Sequence, residues 1–181
     1  LPFSTSGLPA DANFPGLARQ VQYRECQWIG YRFHETFGIP ARFPFGHGLG
    51  YTTWRFADLR VRGDGTTRTA TVTVTNTGAR ARATVVQVYL RAVASALPRP
   101  ARELAGFARL RLEAGATAQV DVVLEPRVFT LWDRLAGSWV VDGGRYEVLV
   151  GSSSVEIHDR AFIDVESTDR VTPCPPMTGP I

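Results

Sequence analysis

The chain has 181 residues and 44% hydrophobic side chains, which suits one ordinary domain with an appendage and excludes wholesale disorder. The net charge of +3 comes from arginine alone, and these arginines are scattered singly, so we expect no nucleic-acid partner. No apolar run approaches the roughly 20 residues of a membrane-spanning helix, so we expect no membrane partner.

Residues 1–42 are rich in proline, glycine and aromatic side chains and have little regular periodicity. Only Arg24–Thr36 is compatible with a short helix, in which Trp28, Tyr31 and Arg32 have helical spacing. Such a segment is too short to form its own core, so we expect it to dock on another body. The first residues lack the pattern of a signal peptide, and we expect them to continue a longer protein.

A turn-rich junction follows at residues 43–54, where the sequence reads FPFGHGLGYTTW. Gly46 and Gly48 are predicted to reverse the chain, because glycine tolerates positive φ. Phe43 and Phe45 are expected to bury their rings against a neighbouring surface. We expect His47 to anchor this turn by hydrogen bonds through its ring nitrogens, with a role as base or sugar contact as the alternative.

Beyond the junction the pattern changes to period two, as where Ala70, Val72 and Val74 alternate with threonines. This alternation predicts a strand, and turn-bounded runs predict further strands at Trp54–Val61, Thr84–Leu90, Leu104–Leu112, Ala118–Leu124, Ser138–Val141, Arg145–Val150 and Ala161–Val165. Strands without intervening helices favour an all-β, antiparallel two-sheet sandwich. Residues 92–102 are predicted to cross between the sheets, and residues 167–181 to be an extended or disordered tail.

Several motifs occur in an order that resembles the carboxy-terminal part of family 3 glycoside hydrolases, the β-glucosidases and β-xylosidases. They are NFPG at 13–16, YRECQWIGYR at 23–32, the junction at 43–54, VTNTG at 74–78, VQVY at 86–89, RP with ELAGF at 99–107, and YEVLVG at 146–151. The resemblance implies that residues 1–42 are the end of an α/β sandwich domain and a linker. It implies an immunoglobulin/fibronectin type III-like β-sandwich over residues 43–166.

The resemblance also implies a function for this region. A retaining glycosidase needs two carboxylates about 5 Å apart, and in the family both belong to domains that precede this region. No catalytic residue is therefore assigned here, and the expected role is an accessory module that braces the catalytic domains of a β-glycosidase and is inactive alone. The residues expected to pack against those domains are Trp28, Tyr31, Arg32, Phe43, Phe45, His47 and Tyr51.

Other hypotheses start from single side chains. Glu25 belongs to the YRE motif and is expected to form a structural hydrogen bond or ion pair, the alternative being an independent enzyme that uses Glu25 and Glu35. A stand-alone carbohydrate-binding or adhesion module would bind oligo- or polysaccharide on exposed aromatic rings. Trp139 has the same parity as Val141, so packing in the core or against another domain is expected for it, whereas Trp132 lies in a predicted loop and is the best candidate for partial exposure.

The remaining polar residues indicate no cofactor and no metal site, because the sequence contains no C-x-x-C or H-x-x-x-H spacing. Cys26 and Cys174 pair only if the tail folds back, which the sequence leaves open. Residues 152–154 are expected to be a polar serine loop without a histidine partner. Two residues depart from the family motifs, since Cys26 stands at a glycine position and Gly50 at a serine position. The sequence leaves the compartment and the sugar open.

Overall fold

In the computed structural model, the described residues are 3, 8–16, 20–95, 97–134 and 137–167. They form an antiparallel β-sandwich preceded by one short α-helix, so the predicted all-β fold is confirmed. The helix α1 spans Tyr31–Phe37, and the strands are β1 Trp54–Arg62, β2 Arg68–Asn76, β3 Arg82–Ala92, β4 Glu103–Leu112, β5 Thr117–Leu124, β6 Thr130–Asp133, β7 Ser138–Val141, β8 Gly144–Gly151 and β9 Ile157–Val165. Short 3-10 helices occur at Asp11–Asn13 and Pro126–Phe129.

Two sheets and a hairpin build the sandwich. One sheet has the order β1-β2-β5, the other has the order β4-β3-β8-β9, and β6 pairs with β7 separately. The core lies between the sheets and is formed mainly by valines of β2, β3 and β8, namely Val72, Val74, Val86, Val88, Val148 and Val150. In β2 every second side chain is fully buried while the intervening threonines are partly exposed, as the period-two pattern predicts.

The helix is shorter than predicted and begins later. Gly30, which precedes α1, has φ +59° and ψ −130°, and Cys26 also has a positive φ of 48°. Neither conformation continues a right-handed helix, so Trp28 lies before the helix rather than in it. Gly38 ends α1 in the left-handed region, which is a common helix termination.

The segment between β3 and β4 also differs from the prediction. It was expected to cross between sheets, but β3 and β4 are antiparallel neighbours in the same sheet, with Leu90 opposite Glu103. The prediction of a crossover is therefore wrong. Residues 93–95 and 97–102, called the long connection below, instead lie between two neighbouring strands of one sheet.

The hairpin β6–β7 contains the main strand error. Trp132 was placed in a loop but lies in β6, directly opposite Trp139 of β7. In β7 it is Val140 that is buried, whereas Trp139 is 53% exposed, so its placement in the core is wrong and its packing against another domain stays a prediction. Trp132 is 50% exposed, which confirms the expectation of partial exposure.

Two expectations about the surface concern arginine and the carboxyl end. Arg60, Arg62, Arg109 and Arg111 are exposed on alternate positions of β1 and β4, as expected for the solvent faces of strands. Residues 168–181, and with them Cys174 and most of the predicted tail, lie outside the described residues. Among the helices within the described residues, none combines the length and apolarity needed to span a bilayer.

Adjacent valines of β5 provide a test of the core. Val122 is 3% exposed and Val123 is 60% exposed, so only the first contributes a full apolar transfer free energy. Val122→Ala is expected to lower the free energy of unfolding by about 2 kcal/mol, and Val123→Ala by less than about 0.5 kcal/mol. Urea unfolding of both variants measures the difference, and equal losses would contradict this placement of the core.

Candidate functional site

The long connection is attached to the sandwich by the buried guanidinium of Arg99. This group donates to the Glu103 carboxylate at 2.9 Å, the Tyr146 hydroxyl at 3.0 Å and the Asp142 carboxylate at 3.2 Å. It also donates to the carbonyl oxygen of Val128 at 3.3 Å. Because the side chain of Arg99 is only 7% exposed, the two carboxylates and the guanidinium compensate one another in a largely water-free site.

The protonation states of this cluster follow from its surroundings. Burial by itself would lower the pKa of Arg99, but the oxygens of Tyr146, Glu103 and Asp142 raise it, and the net shift is upward. Burial raises the pKa of Tyr146 to about 12. The Tyr146 hydroxyl therefore stays protonated at neutral pH and donates to the Asp142 carbonyl oxygen at 2.5 Å.

The long connection and the start of β4 hold the helix α1. The Tyr31 hydroxyl accepts from the Leu104 amide at 2.7 Å, and the Thr36 hydroxyl accepts from the Ala101 amide at 2.9 Å. Charged and amide side chains add contacts that join Arg32 to Glu103 at 3.3 Å, Glu35 to Arg102 at 3.8 Å, and Gln27 to the Pro98 carbonyl at 2.6 Å. Tyr31 and Arg32 thus contact the sandwich of their own chain.

The junction is attached to the same sheet at Phe45 and Gly46. The ring of Phe45 stacks on Tyr31 with 4.8 Å between centroids, and its carbonyl oxygen accepts from the Ser154 amide at 2.8 Å. Gly46 lies against the side chain of Gln87, which itself accepts from the Tyr89 hydroxyl at 2.5 Å. Burial raises the pKa of Tyr89, so its hydroxyl remains a donor.

The other end of the junction is attached through Asn76, which is fully buried at the end of β2. Its Oδ1 accepts from the Thr52 hydroxyl at 2.5 Å and from the Gly78 amide at 3.1 Å. Its Nδ2 donates to the carbonyl oxygens of Arg80 and Leu112. The VTNTG motif therefore ties the junction to two strand ends by satisfying a buried amide completely.

The predicted packing residues divide into two groups in this arrangement. Trp28 is buried and packs edge-on against Phe37, and Tyr31 and Arg32 are partly buried as described. Phe43, Phe45, His47 and Tyr51 are exposed, and Tyr51 reaches 82%. The residues of this second group therefore expose a large part of their surface to solvent.

His47 differs from its predicted role. Its backbone amide donates to the Pro44 carbonyl at 3.1 Å, and its ring lies 5.7 Å from the ring of Phe43. Among the described residues we find no hydrogen-bond partner for its ring nitrogens, so the predicted anchoring through them is wrong within this part of the chain. Backbone geometry and ring contact hold the turn instead.

The acids and serines proposed for chemistry have structural partners. Glu35 accepts from the Ser154 hydroxyl at 2.8 Å besides its pairing with Arg102. The Oε2 of Glu25 is buried and finds no hydrogen bond within the described ranges, so its predicted partner is not seen there. Ser152 does have a histidine partner, contrary to expectation, because its hydroxyl lies 3.0 Å from Nε2 of His158.

This serine–histidine pair lacks the arrangement of a catalytic triad. Glu156 accepts from the Ser152 hydroxyl at 2.9 Å instead of orienting the histidine ring, and the ring of His158 stacks on Phe56 at 4.6 Å. A triad needs the acid on the histidine nitrogen remote from the nucleophile. We therefore interpret this cluster as the anchor of the β8–β9 turn.

A cleft of about 470 Å³ adjoins the Arg99 cluster and is lined by two acids, Glu103 and Glu125. A glycosidase acid must donate a proton to the leaving group. Both carboxylate oxygens of Glu103, however, pair with guanidinium groups, one with Arg32 and one with Arg99. Glu125 is exposed. This pair does not form a catalytic acid and nucleophile.

Known proteins share this arrangement of strands and junction. A family described as "Fibronectin type III-like domain" matches residues 84–154. Thermostable beta-glucosidase B of Acetivibrio thermocellus is 35% identical over 94% of this chain and 23% of its own length. An exo-alpha-(1->6)-L-arabinopyranosidase of Bifidobacterium breve is 33% identical over 96% of this chain and 23% of its own length.

A solved structure of a β-glucosidase also matches this chain in its three-dimensional fold. The GH3 beta-glucosidase of Bifidobacterium adolescentis matches with a TM-score of 0.90 and 33% identity, covering 99% of this chain and 27% of that chain. The chain therefore matches a part of family 3 β-glucosidases, and its residues 84–154 belong to the fibronectin type III-like domain family. It spans little more than a quarter of these proteins at most.

In this fibronectin type III-like chain, the two departures from the family motifs have different consequences. Cys26 has φ +48°, a left-handed conformation that glycine adopts at lower cost, so the substitution carries backbone strain. Cys26 is exposed. Gly50 lacks a hydroxyl, but its neighbour Leu49 is still held by a hydrogen bond from Arg82 to its carbonyl oxygen at 3.3 Å.

The two glycines of the turn are expected to respond differently to alanine. Gly46 has φ +81°, and a Cβ there would lie 2.2 Å from Oε1 of Gln87, whereas Gly48 has open space around it and no positive φ. Gly46→Ala is expected to lower the free energy of unfolding by about 1–3 kcal/mol, and Gly48→Ala to change it by less than about 0.5 kcal/mol.

Thermal and urea unfolding of the two alanine variants measure this difference. Gln87→Ala combined with Gly46→Ala serves as a control, because removing the side chain of Gln87 relieves the clash but not the strained φ. Equal stability of Gly46→Ala and Gly48→Ala would contradict the close approach of the junction to β3.

Proposed function

We propose that this chain is the accessory carboxy-terminal module of a family 3 β-glycosidase, that it braces the catalytic domains of that enzyme, and that it is inactive alone. The whole enzyme would hydrolyse terminal β-linked sugars from glycosides or oligosaccharides. The printed names of the relatives include two sugar specificities, so the proposal extends to the class of reaction and not to one sugar. Residues 1–42 would be the end of an α/β domain with its linker, and residues 43–166 the module.

The main support for the bracing role is the uneven distribution of exposed apolar side chains along the chain. Of the nineteen large hydrophobic side chains exposed among the described residues, eleven precede β1. They are Phe3, Leu8, Phe14, Val21, Tyr23, Ile29, Phe37, Phe43, Phe45, Leu49 and Tyr51. Concentrated apolar exposure of this kind marks an interaction surface, because each ring left in water forgoes about 1.5–3 kcal/mol of burial.

The attachment of this segment supports the same role. This segment is fixed to the sandwich through Tyr31, Phe45 and Thr52. The rings of Phe14, Tyr23 and Tyr51 are exposed. A segment held on one side and apolar on the other is suited to join two bodies. The proposed partner is the set of catalytic domains of the parent enzyme, and the similarity to family 3 β-glucosidases supports this choice.

The inactivity of the isolated chain is supported by its acids. Glu103 and Glu35 are engaged by arginines, and Glu156 accepts from Ser152. None of these carboxylates is free to alternate between acid and base as glycoside hydrolysis requires. The purified chain is therefore expected to release no nitrophenol from 4-nitrophenyl β-D-glucoside above the buffer blank. Hydrolysis that disappears in Glu25→Gln would contradict the proposal.

Bracing is tested on the longer protein encoded by the reading frame that includes this chain. Leu49 and Tyr51 are 87% and 82% exposed, so replacing both by alanine is expected to leave the melting temperature of the isolated chain almost unchanged. In the longer protein the same double variant is expected to lower the melting temperature by about 2 °C or more, because apolar interface area is lost.

Phe162→Ala is the matched control, since Phe162 is an exposed ring of β9 that lies opposite Glu147 of β8 rather than opposite a residue in contact with the junction. It is expected to have no effect in either protein. Equal melting temperatures of the double variant and the unmodified longer protein would reject the bracing role.

A further inference from the structure

The hairpin β6–β7 presents an aromatic pair that the bracing role does not use. Trp132 and Trp139 are directly opposite residues, their rings are edge-to-face at 5.6 Å and 72°, and each is about half exposed. Within the described part of the chain, neither indole N–H donates a hydrogen bond. Two large rings in a fixed mutual geometry therefore offer accessible faces and two free donors.

These rings line the cleft of about 470 Å³ described above, which is of the size at which proteins bind small molecules (about 300–1,000 Å³). Polar side chains complete its lining and come from three different parts of the chain, namely Gln27, Arg32, Arg99, Glu103, Glu125, Arg127 and Thr130. The cleft thus combines two aromatic rings with converging donors and acceptors, which is the composition of a ligand site.

Several of these groups are held in place before any ligand arrives. The guanidinium of Arg127 lies 4.9 Å from the ring centroid of Trp139, a cation–π distance that restricts both side chains. The carboxylate of Glu103 is fixed between Arg32 and Arg99. Binding to fixed groups costs less side-chain entropy than binding to mobile ones.

We propose that this cleft binds a saccharide, with a pyranose ring stacked on Trp132 or Trp139 and hydroxyl groups bonded to Glu125 and Arg127. The C–H face of a pyranose is apolar and fits an indole face, while its rim of hydroxyls requires charged or amide partners. The cleft supplies both.

The same lining argues against a protein domain as the occupant. Glutamate is depleted in protein–protein interfaces relative to the rest of the surface, whereas Glu103 and Glu125 both line this cleft. The inference deepens the proposed function, because a β-glycosidase acts on saccharides, but binding requires only this chain.

The test is a titration of the purified 181-residue chain with cellotetraose, followed by calorimetry and by intrinsic tryptophan fluorescence. Saturable binding is expected with a dissociation constant of about 0.1–10 mM, as befits a shallow open cleft. Trp132→Ala and Trp139→Ala are each expected to weaken binding about tenfold or more, and Trp132→Phe less than Trp132→Ala, because phenylalanine keeps part of the stacking face.

Phe162→Ala is again the control, because Phe162 does not line the cleft. It is expected to bind as the unmodified chain does, while circular dichroism and melting temperature verify that every variant is folded. The proposal is overturned if the folded chain shows no saturable signal up to about 50 mM sugar, a concentration well above the expected range. It is equally overturned if both tryptophan variants bind normally, or if the isolated chain binds but the longer protein does not, because another domain then covers the cleft. Each negative result leaves the melting test of bracing untouched.

Discussion

The buried guanidinium of Arg99 joins parts of the chain that are remote in sequence. It fixes the long connection to Asp142 and Tyr146 of the β7–β8 region and to Glu103 at the start of β4. A buried ion pair contributes little net stability compared with a well-packed apolar group, but loss of one partner costs several kcal/mol because the other charges remain buried. Arg99 therefore acts less as a source of stability than as a constraint on where the long connection lies.

The long connection contributes to the position of helix α1 and of Gln27 before it. Helix α1 has only seven residues, too few to be stable by itself, and it rests on backbone amides of the connection and of β4. The junction then stacks Phe45 on Tyr31 and continues to Asn76. Its outward rings are therefore presented at fixed positions, as a brace between domains requires. Glu103, which pairs with Arg32 and Arg99, also lines the cleft beside Trp132 and Trp139.

The pattern of apolar, polar and turn-forming residues predicts those strands and turns whose positions depend on neighbouring residues in the sequence. The alternation of valine and threonine in β2 and the glycine-rich turns identify most strands, because burial on one face imposes period two. The core position predicted for Trp139 from its parity is wrong, because β6 and β7 form a separate hairpin. Which of its faces is buried depends on contacts with the rest of the sandwich and not on the local pattern. The predicted crossover of residues 92–102 is wrong for a related reason. The prolines of this segment indicate an irregular connection, but they do not indicate that a buried arginine holds it against its own sheet. The partner of Ser152, His158, is six residues away across a turn, where spacing alone carries no signal.

Hydrogen exchange of the Arg99→Met chain tests this account most directly, with the exposed Arg109→Met as control. The amides of Ala101 and Leu104 donate to Thr36 and Tyr31 and so report on the contact between the connection and α1. In Arg99→Met these two amides are expected to lose protection about tenfold or more relative to the Val72 amide in the core strand β2. Arg109→Met is expected to change neither. Unchanged protection of Ala101 and Leu104 in a folded Arg99→Met chain would show that Arg99 does not hold the connection, and would contradict the account.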